Sequence, residues 1–350
     1  MNSAKNAPHP AKLTPNLGLK HRNSFGLDSI AELAYEISSA EQLPPLMQEL
    51  SDQKLAWRVL GGGSNVILPD ALPGATLLIN ILGQEVIKSN EQSTWLAVGA
   101  GVNWHELVAW TLEHHLPGFE NLALIPGTVG AAPIQNIGAY GLEIGEYIDN
   151  IEAFDSAAHA FVTLPQEACR FAYRDSYFKQ NPNRLIVTKV VFKIPKAWQA
   201  RLQYADLAKQ FANTNTNTNS TPTAKQIFDA VCAIRSMKLP DPKVIGNAGS
   251  FFQNPIVDKE QHQRLIEQFP NIVSYPDTTG KRKLAAGWLI DQCGFKGKRV
   301  GAVGVYENQA LVLVNHGGGT SADILNLAER IQTEVLDKFG VELEIEPNIL

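Results

Sequence analysis

The chain has 350 residues, 44% of them apolar and 19% charged, with a formal net charge of −5. That length allows two or three domains with a sizeable core, and the negative balance argues against a nucleic-acid footprint. No apolar run approaches the roughly 20 residues of a bilayer span, and Cys169, Cys232 and Cys293 are far apart and odd in number. This favours reduced thiols in a cytoplasmic protein over a disulfide frame or a metal site.

Residues 1–22 mix prolines, asparagines and lysines without periodicity. They read as a mobile tail, not as a signal peptide, which needs an apolar centre. A helical stretch is expected after residues 23–26, and another over 40–50, broken near Pro44 and Pro45. Apolar residues 55–60, then Gly61-Gly62-Gly63-Ser64-Asn65, then apolar 66–68 spell strand, glycine turn, strand. Successive N–H groups of such a turn can converge on an anion, with Ser64 and Asn65 adding donors. A tight hairpin turn is the alternative. The spacing is not a dinucleotide fingerprint, and no lysine follows as in a P-loop.

Residues 75–81 and 95–98 read as strands. Asn103 caps a helix with Glu106 in capping-box position, and Trp104, Leu107, Val108 and Leu112 form its buried stripe. His114 and His115 end it. Next comes 122–148, where Gly127, Gly130, Gly138 and Gly141 recur among small and apolar residues, with Gln135 and Asn136 between them. No Lys, Arg or Asp interrupts this stretch before Asp149. Two readings stand: backbone wrapped against a flat, partly apolar ligand, or a glycine-rich turn between buried strands.

Strands are expected over 151–154, 161–164 and 184–194, the last with Ile186, Thr188, Val190, Phe192 and Ile194 on one face. Between them, Tyr173-Arg174-Asp175-Ser176 gathers a phenol, a cation, a carboxylate and a hydroxyl. Arg174 can clamp a carboxylate with its planar fork, or pair with Asp175 at the surface. Residues 195–198 look like a domain boundary, and 213–220 is a low-complexity run expected to be a flexible loop. Thr223 caps a helix with Gln226 in box position, and Ile227, Val231 and Ile234 mark its buried face.

The run Gly246-Asn247-Ala248-Gly249-Ser250-Phe251-Phe252-Gln253-Asn254-Pro255 is the second small-residue stretch. It lacks the GxSxG elbow, so Ser250 is no esterase nucleophile. In a shielded site its hydroxyl could give or take a proton; otherwise it is a buried serine bonded to backbone. A turn over 274–280, a helix from 285 to Cys293, and strands over 300–306 and 310–314 follow. A helix over 321–338 is stopped by Gly340. A last strand over 341–346 puts Glu342, Glu344 and Glu346 on one face.

Together these motifs resemble the UDP-N-acetylenolpyruvoylglucosamine reductases. The matching runs are Asn23-Ser24-Phe25-Gly26, Gly62-Gly63-Ser64-Asn65, Ile125-Pro126-Gly127 and Pro133-Ile134-Gln135-Asn136-Ile137-Gly138-Ala139-Tyr140-Gly141. They continue through Tyr173-Arg174-Asp175-Ser176 and residues 246–252 to Leu284-Ala285-Ala286-Gly287-Trp288-Leu289-Ile290-Asp291. They cover nearly all of the chain after the tail, in the family's order. The resemblance implies an α+β fold. An FAD-binding domain of the vanillyl-alcohol-oxidase (PCMH) type, in two subdomains, would occupy 23–196, and an α+β substrate-binding domain 197–350. It implies non-covalent FAD, with Gly62, Gly63, Ser64 and Asn65 at the pyrophosphate. Pro126, Gly127, Gly130 and Gln135, then Asn136, Gly138, Ala139 and Tyr140, would lie along the cofactor.

The implied activity is NADPH-dependent, FAD-mediated reduction of UDP-N-acetylglucosamine enolpyruvate to UDP-N-acetylmuramate, a step of peptidoglycan synthesis. A cytoplasmic monomer without nucleic-acid or membrane partners is expected. NADPH gives hydride to the flavin, which then gives it to the terminal enolpyruvyl carbon, and charge spreads onto the neighbouring carboxylate. Arg174 matches the arginine that holds this carboxylate, Glu346 the acid beside it, and Ser250 the proton donor. Tyr204, Lys238, Asn254 and Gln309 match residues that contact the UDP-sugar, and Tyr204 indicates the longer (type I) of the family's two subtypes, with a lid-like loop. Three features depart from the family: residues before Asn23, the 213–220 run, and the ending Pro347-Asn348-Ile349-Leu350, where many members carry a basic residue near Asn348 and run on. Another flavin oxidoreductase of this fold, or a non-catalytic UDP-sugar-binding relative, would share part of the pattern. Lys238 and 246–252 speak against the first, and Arg174, Ser250 and Glu346 together against the second.

Overall fold

The computed structural model describes residues 10–212, 221–277 and 279–350, so the Asn/Thr-rich run lies outside the described residues. By packing, the chain forms two units, neither continuous in sequence. The first takes the described residues through Leu17, then Ala31–Gly62 and Leu72–Arg235; the second takes Gly18–Ile30, Gly63–Ala71 and Ser236–Leu350.

Two sheets build the first unit. One has four strands in the order Lys12–Gly18, Ile30–Ile37, Ala71–Ile79, Trp57–Leu60, the last two parallel with Trp57 opposite Ala75. Helix α1 (Leu43–Asp52) covers it with Leu43, Leu46, Met47 and Leu50, against Tyr35, Ile37, Ala75 and Leu77. Three sequence expectations change here. Residues 12–18, expected within a tail, form the edge strand. Residues 30–37, expected to be helical, form a strand because Ala31, Ala34, Tyr35 and Ile37 turn inward while Ile30 and Glu32 face water. Pro44 and Pro45 start α1 instead of breaking it, since the first helical turn has no use for their missing N–H groups.

The other sheet is antiparallel, in the order Ala160–Pro165, Ile148–Asp155, Leu185–Pro195, Ser93–Gly99, Gln84–Ser89. Helix α2 (Trp104–Glu113) lies on it, and the Asn103 side chain accepts the Glu106 N–H as its cap. Its buried face is Trp104, Leu107, Val108 and Thr111, the last in the place expected for Leu112. Trp104, Phe119 and Phe192 pack at centroid distances of 5.1–6.1 Å. Helices α3 (Tyr177–Gln180), α4 (Ala205–Ala212) and α5 (Ala224–Lys238) follow. Thr223 and Gln226 make both halves of the box that opens α5, and Ile227, Val231 and Ile234 sink into the same core as Trp104.

The second unit centres on a four-stranded antiparallel sheet ordered Gly246–Ser250, Val312–Asn315, Val303–Val305, Arg299–Val300. A three-stranded sheet orders Ile256–Val257, Arg282–Leu284, Ser274–Pro276; its last strand occupies part of the expected turn. Helices α6 (Lys259–Gln268), α7 (Ala286–Gln292) and α8 (Ser321–Phe339) complete the unit. Helix α8 buries Ile324, Ala328, Ile331 and Val335, and ends where Gly340 takes φ 63°. Phe25, Leu27 and Ile67 join this core, which is why two early segments belong to the later half of the chain. Among the described residues no helix is long and apolar enough to cross a membrane.

Candidate active site

In the first unit the two glycine-rich stretches of its chain lie against each other. A Cβ on Gly62 would stand 3.0 Å from Gly127 Cα, so any larger residue would press on the Gly127 backbone and glycine favours this approach. Residues 124–137 are irregular turns laid on 100–104: Trp104 N–H donates to Gly127 O at 3.1 Å, Val129 N–H to Val102 O at 2.9 Å and Gly130 N–H to Ala100 O at 2.8 Å. Leu124, Asn136 and Tyr140 all have left-handed φ, of 57°, 47° and 49°. Such clusters of non-glycine outliers persist where surrounding bonds over-determine them, and they concentrate at functional sites.

Gly138 and Ala139 pair with Glu143 and Leu142 across a two-residue turn. Both turn residues, Tyr140 and Gly141, have positive φ (49° and 80°), the requirement of a type I′ turn. Arg174 also sits in a left-handed position, with φ 53°, and its Nη2 donates to Gly138 O at 2.9 Å. The side chain of Asn136 pins both features. Its Nδ2 donates to Ala172 O at 3.1 Å and to Glu143 Oε2 at 2.8 Å, and its Oδ1 accepts the Gly145 N–H at 2.8 Å. The expected cofactor residues 135–140 and the expected carboxylate clamp are therefore brought together. The Tyr140 and Tyr204 rings meet edge to face at 5.0 Å.

Burial pushes the Tyr140 phenol up to about 12, opposed by the nearby Arg235 guanidinium. Arg235, on α5, also lies in the field of Arg174, and burial lowers its own pKa. Its Nε is buried without a hydrogen-bond partner among the described residues. Sequence reasoning passed it over because it directly follows Ile234, the last residue of the helix's buried stripe, where a cation reads as an ordinary flank. His105 of α2 accepts the Leu124 N–H on Nδ1 at 3.1 Å, which puts its proton on Nε2. Burial pushes its pKa down, with Arg235 adding to the fall and Glu106 opposing it.

In the second unit, the Ser24 N–H and Oγ donate to the carbonyls of Gly63 and Ser64, at 2.9 and 3.2 Å. The turn's carbonyls thus face inward. The N–H groups of Gly63 and of its chain neighbour Gly62, the last residue of a first-unit segment, meet no acceptor among the described residues, a pair of donors that fits an anionic pyrophosphate. The residues present therefore fit FAD in both respects, glycine-permitted close approach and spare donors.

Ser250 ends its strand opposite Val312, and Phe251 N–H donates to Leu311 O at 2.8 Å. Residues 344–346 run alongside: Gln253 N–H donates to Glu344 O and Glu346 N–H to Phe251 O, both at 2.9 Å. Glu346 is thereby paired with Phe251, the residue that follows Ser250. The C-terminal end past Glu346 is anchored, since Asn348 and Ile349 pair in parallel with Val66 and Ile67. Asn65 Nδ2 donates to Glu346 O at 3.4 Å. Asn254 Oδ1 accepts the Ala286 N–H at 2.9 Å. A Cβ on Gly287 would meet Gln309 Oε1 at 2.9 Å, so both expected substrate amides converge on the start of α7. Asn247, which the sequence did not single out, donates to Pro240 O and Ile245 O at 3.1 and 2.9 Å, and accepts the Gly249 N–H at 3.0 Å. It ties the loop after Lys238 to the strand that carries Ser250. The cysteines are unpaired, and burial raises all three, Cys169 to about 12.

A family model for the C-terminal domain of UDP-N-acetylenolpyruvoylglucosamine reductase matches residues 241–350, and one for an FAD binding domain matches residues 31–159. A UDP-N-acetylenolpyruvoylglucosamine reductase of Polynucleobacter asymbioticus is 70% identical over 350 residues, which is 100% of both chains. Another, of Paraburkholderia phymatum, is 49% identical over 341 residues, 97% of this chain and 98% of the relative. Among solved structures, UDP-N-acetylenolpyruvylglucosamine reductase from Thermus caldophilus matches with a TM-score of 0.64 at 23% identity, over 97% of this chain and 98% of that one. At that identity the likeness speaks for the fold.

Proposed function

The chain belongs to the UDP-N-acetylenolpyruvoylglucosamine reductase family, and from that premise we propose how its own residues carry the reaction. It is an FAD oxidoreductase that reduces the enolpyruvyl group of UDP-N-acetylglucosamine enolpyruvate in peptidoglycan synthesis. NADPH is the proposed donor, and FAD, when bound, relays the hydride from it to the enolpyruvyl group.

Gly62, Gly63, Ser64 and Asn65 would hold the pyrophosphate with main-chain and side-chain donors. Residues 126–140 would line the rest of the cofactor. Functionally, 23–196 would serve FAD and 197–350 the nucleotide substrate. Arg174 would hold the substrate carboxylate as negative charge builds on it, assisted by Glu346; Arg235 adds positive charge beside Arg174. A preorganised donor aimed at developing charge contributes about 3–4 kcal/mol. Ser250 would then protonate the carbon next to that carboxylate. A serine hydroxyl is a weak acid, but an enolate carbon is basic enough to take its proton when the geometry is fixed. Lys238 would meet the diphosphate as a point charge, with Tyr204, Asn254 and Gln309 on the UDP-sugar. A cytoplasmic monomer completes the reading.

The observation that supports these assignments is the Glu346 N–H to Phe251 O bond of 2.9 Å, which pairs the backbone of the proposed acid with the residue that follows the proposed proton donor. The test is substrate-dependent oxidation of NADPH by the purified FAD-loaded protein. UDP-N-acetylmuramate should form in step with NADPH loss. Bound FAD without such turnover would contradict the reading.

A further inference from the structure

Arg174 holds a backbone conformation that its own side chain does not favour. In the turn Ala172-Tyr173-Arg174-Asp175 the ends are joined twice, Ala172 N–H to Asp175 O at 3.0 Å and Asp175 N–H to Ala172 O at 3.2 Å. Arg174 is the third residue, with φ 53° and no positive φ at Tyr173, which is the pattern of a type II turn. That position ordinarily takes glycine or asparagine. Several groups lock the surroundings. Asn136 Nδ2 donates to Ala172 O at 3.1 Å, and the Ser176 N–H donates to Asp175 Oδ1 at 2.9 Å. The buried Ser176 Oγ donates to Ile134 O at 2.6 Å.

The carbonyl of Arg174 itself is met by Lys179. From α3 its ammonium reaches back over five residues and donates to Arg174 O at 2.8 Å. The stem is half-buried, so this is not a loose surface contact. A charged donor makes a shorter and stronger bond to a carbonyl than a neutral one. Fixing that carbonyl fixes ψ of Arg174, and so keeps the residue from relaxing out of the left-handed region.

We infer that Lys179 is a positioning residue for the half of the cycle in which the enolpyruvyl nucleotide reoxidises the flavin. Acting through the main chain of Arg174, it aims the guanidinium that rests on Gly138 O at 2.9 Å. This rests on the proposed role of Arg174 as the group that holds the substrate carboxylate.

The experiment compares Lys179→Met, Lys179→Gln, Lys179→Arg and Arg174→Ala in the FAD-loaded enzyme. Flavin reduction by NADPH and reoxidation by the enolpyruvyl nucleotide are followed as separate single turnovers. Both neutral variants should reduce within about twofold of the parent and reoxidise about ten- to hundredfold more slowly, the effect of a small misplacement of a catalytic group. Lys179→Arg should recover most of the loss. Hydrogen exchange at the Asp175 amide should quicken in the neutral variants without any substrate present. Reoxidation that slows in Arg174→Ala but not in the neutral Lys179 variants would overturn the inference alone, as would equal slowing of both half-reactions. Reoxidation unchanged in all four would overturn the reading of Arg174 and the inference with it.

Discussion

Residues 122–148 of the first unit and 246–255 of the second are both glycine-rich, yet they hold their shape differently. The first is a chain of turns with left-handed residues, and the Asn136 side chain bonds two separate points of it, Glu143 and Gly145, and ties it to Ala172. The second is a strand, Gly246–Ser250, held by ladder bonds to Val312–Asn315 and pinned where it begins by Asn247. A Cβ on Gly246 would stand 2.1 Å from Phe25 O, so glycine is needed there for close approach. Glycines mark where backbone comes near something. The buried asparagines mark what keeps it there, because a short amide offers both donors and an acceptor to main-chain groups without a ladder.

The largest effect that could break this comparison is expected at the end of the second stretch. Ser250→Ala should slow reoxidation by the enolpyruvyl nucleotide about 10²–10⁴-fold, as for loss of a general acid, while reduction by NADPH persists. Equal slowing of both half-reactions, read in single turnovers, would remove Ser250 from proton donation. Next comes Arg174→Gly beside the first stretch. It should cost about 3–4 kcal/mol of transition-state stabilisation. The thermal midpoint should not fall, because glycine relieves a left-handed penalty of about 1–2 kcal/mol. A fall in the midpoint together with intact reoxidation would contradict both halves of that statement.

The two asparagines sharpen the contrast further. Each alanine variant leaves buried groups unsatisfied at about 1–3 kcal/mol apiece, so both should melt earlier. Asn136→Ala should release FAD on dilution, followed by recovery of flavin fluorescence. Asn247→Ala should keep FAD and lose substrate-driven reoxidation. Identical behaviour would mean that the two stretches are not specialised.

The smallest effect concerns His105, whose Nδ1 accepts from Leu124 at the start of the first stretch. Its folded pKa lies below the ordinary 6.5 because burial disfavours the imidazolium. The neutral ring's contribution is thus fully present above pH 6.5 and is lost as pH falls below it. Thermal midpoints measured downward from pH 7.5 should drop less steeply in His105→Gln than in the parent. Parallel curves would leave His105 without this role.

Helix ends were the most legible part of the chain. Asn103, Thr223 and Gly340 act through bonds between near neighbours, so their sequence context contains the whole cause. The strand Ile30–Ile37 was hidden because its residues fit either period until a sheet selects one face. Helix α6 also escaped notice, although Asp258 caps it by accepting the Gln261 N–H; its single fully buried residue, Leu265, gave no stripe to read. At the site, the motifs named the residues but not their supports. Asn136 was named for the cofactor but not for the bonds it makes to Ala172, Glu143 and Gly145; Lys179 and Arg235 act across gaps of up to about a hundred positions, and no local pattern distinguishes them from ordinary helix residues. The register that brings Glu346 to Phe251 was equally invisible, being set by the packing of the second core.

The most direct test of the account follows the flavin absorbance of the purified FAD-loaded enzyme in an anaerobic sequence of two additions. NADPH alone should bleach the yellow colour, yielding NADP but no UDP-N-acetylmuramate, and the enolpyruvyl nucleotide alone should then restore it, with one UDP-N-acetylmuramate formed per flavin. Bleaching that the nucleotide cannot reverse, or recovery that yields no such product, would contradict it.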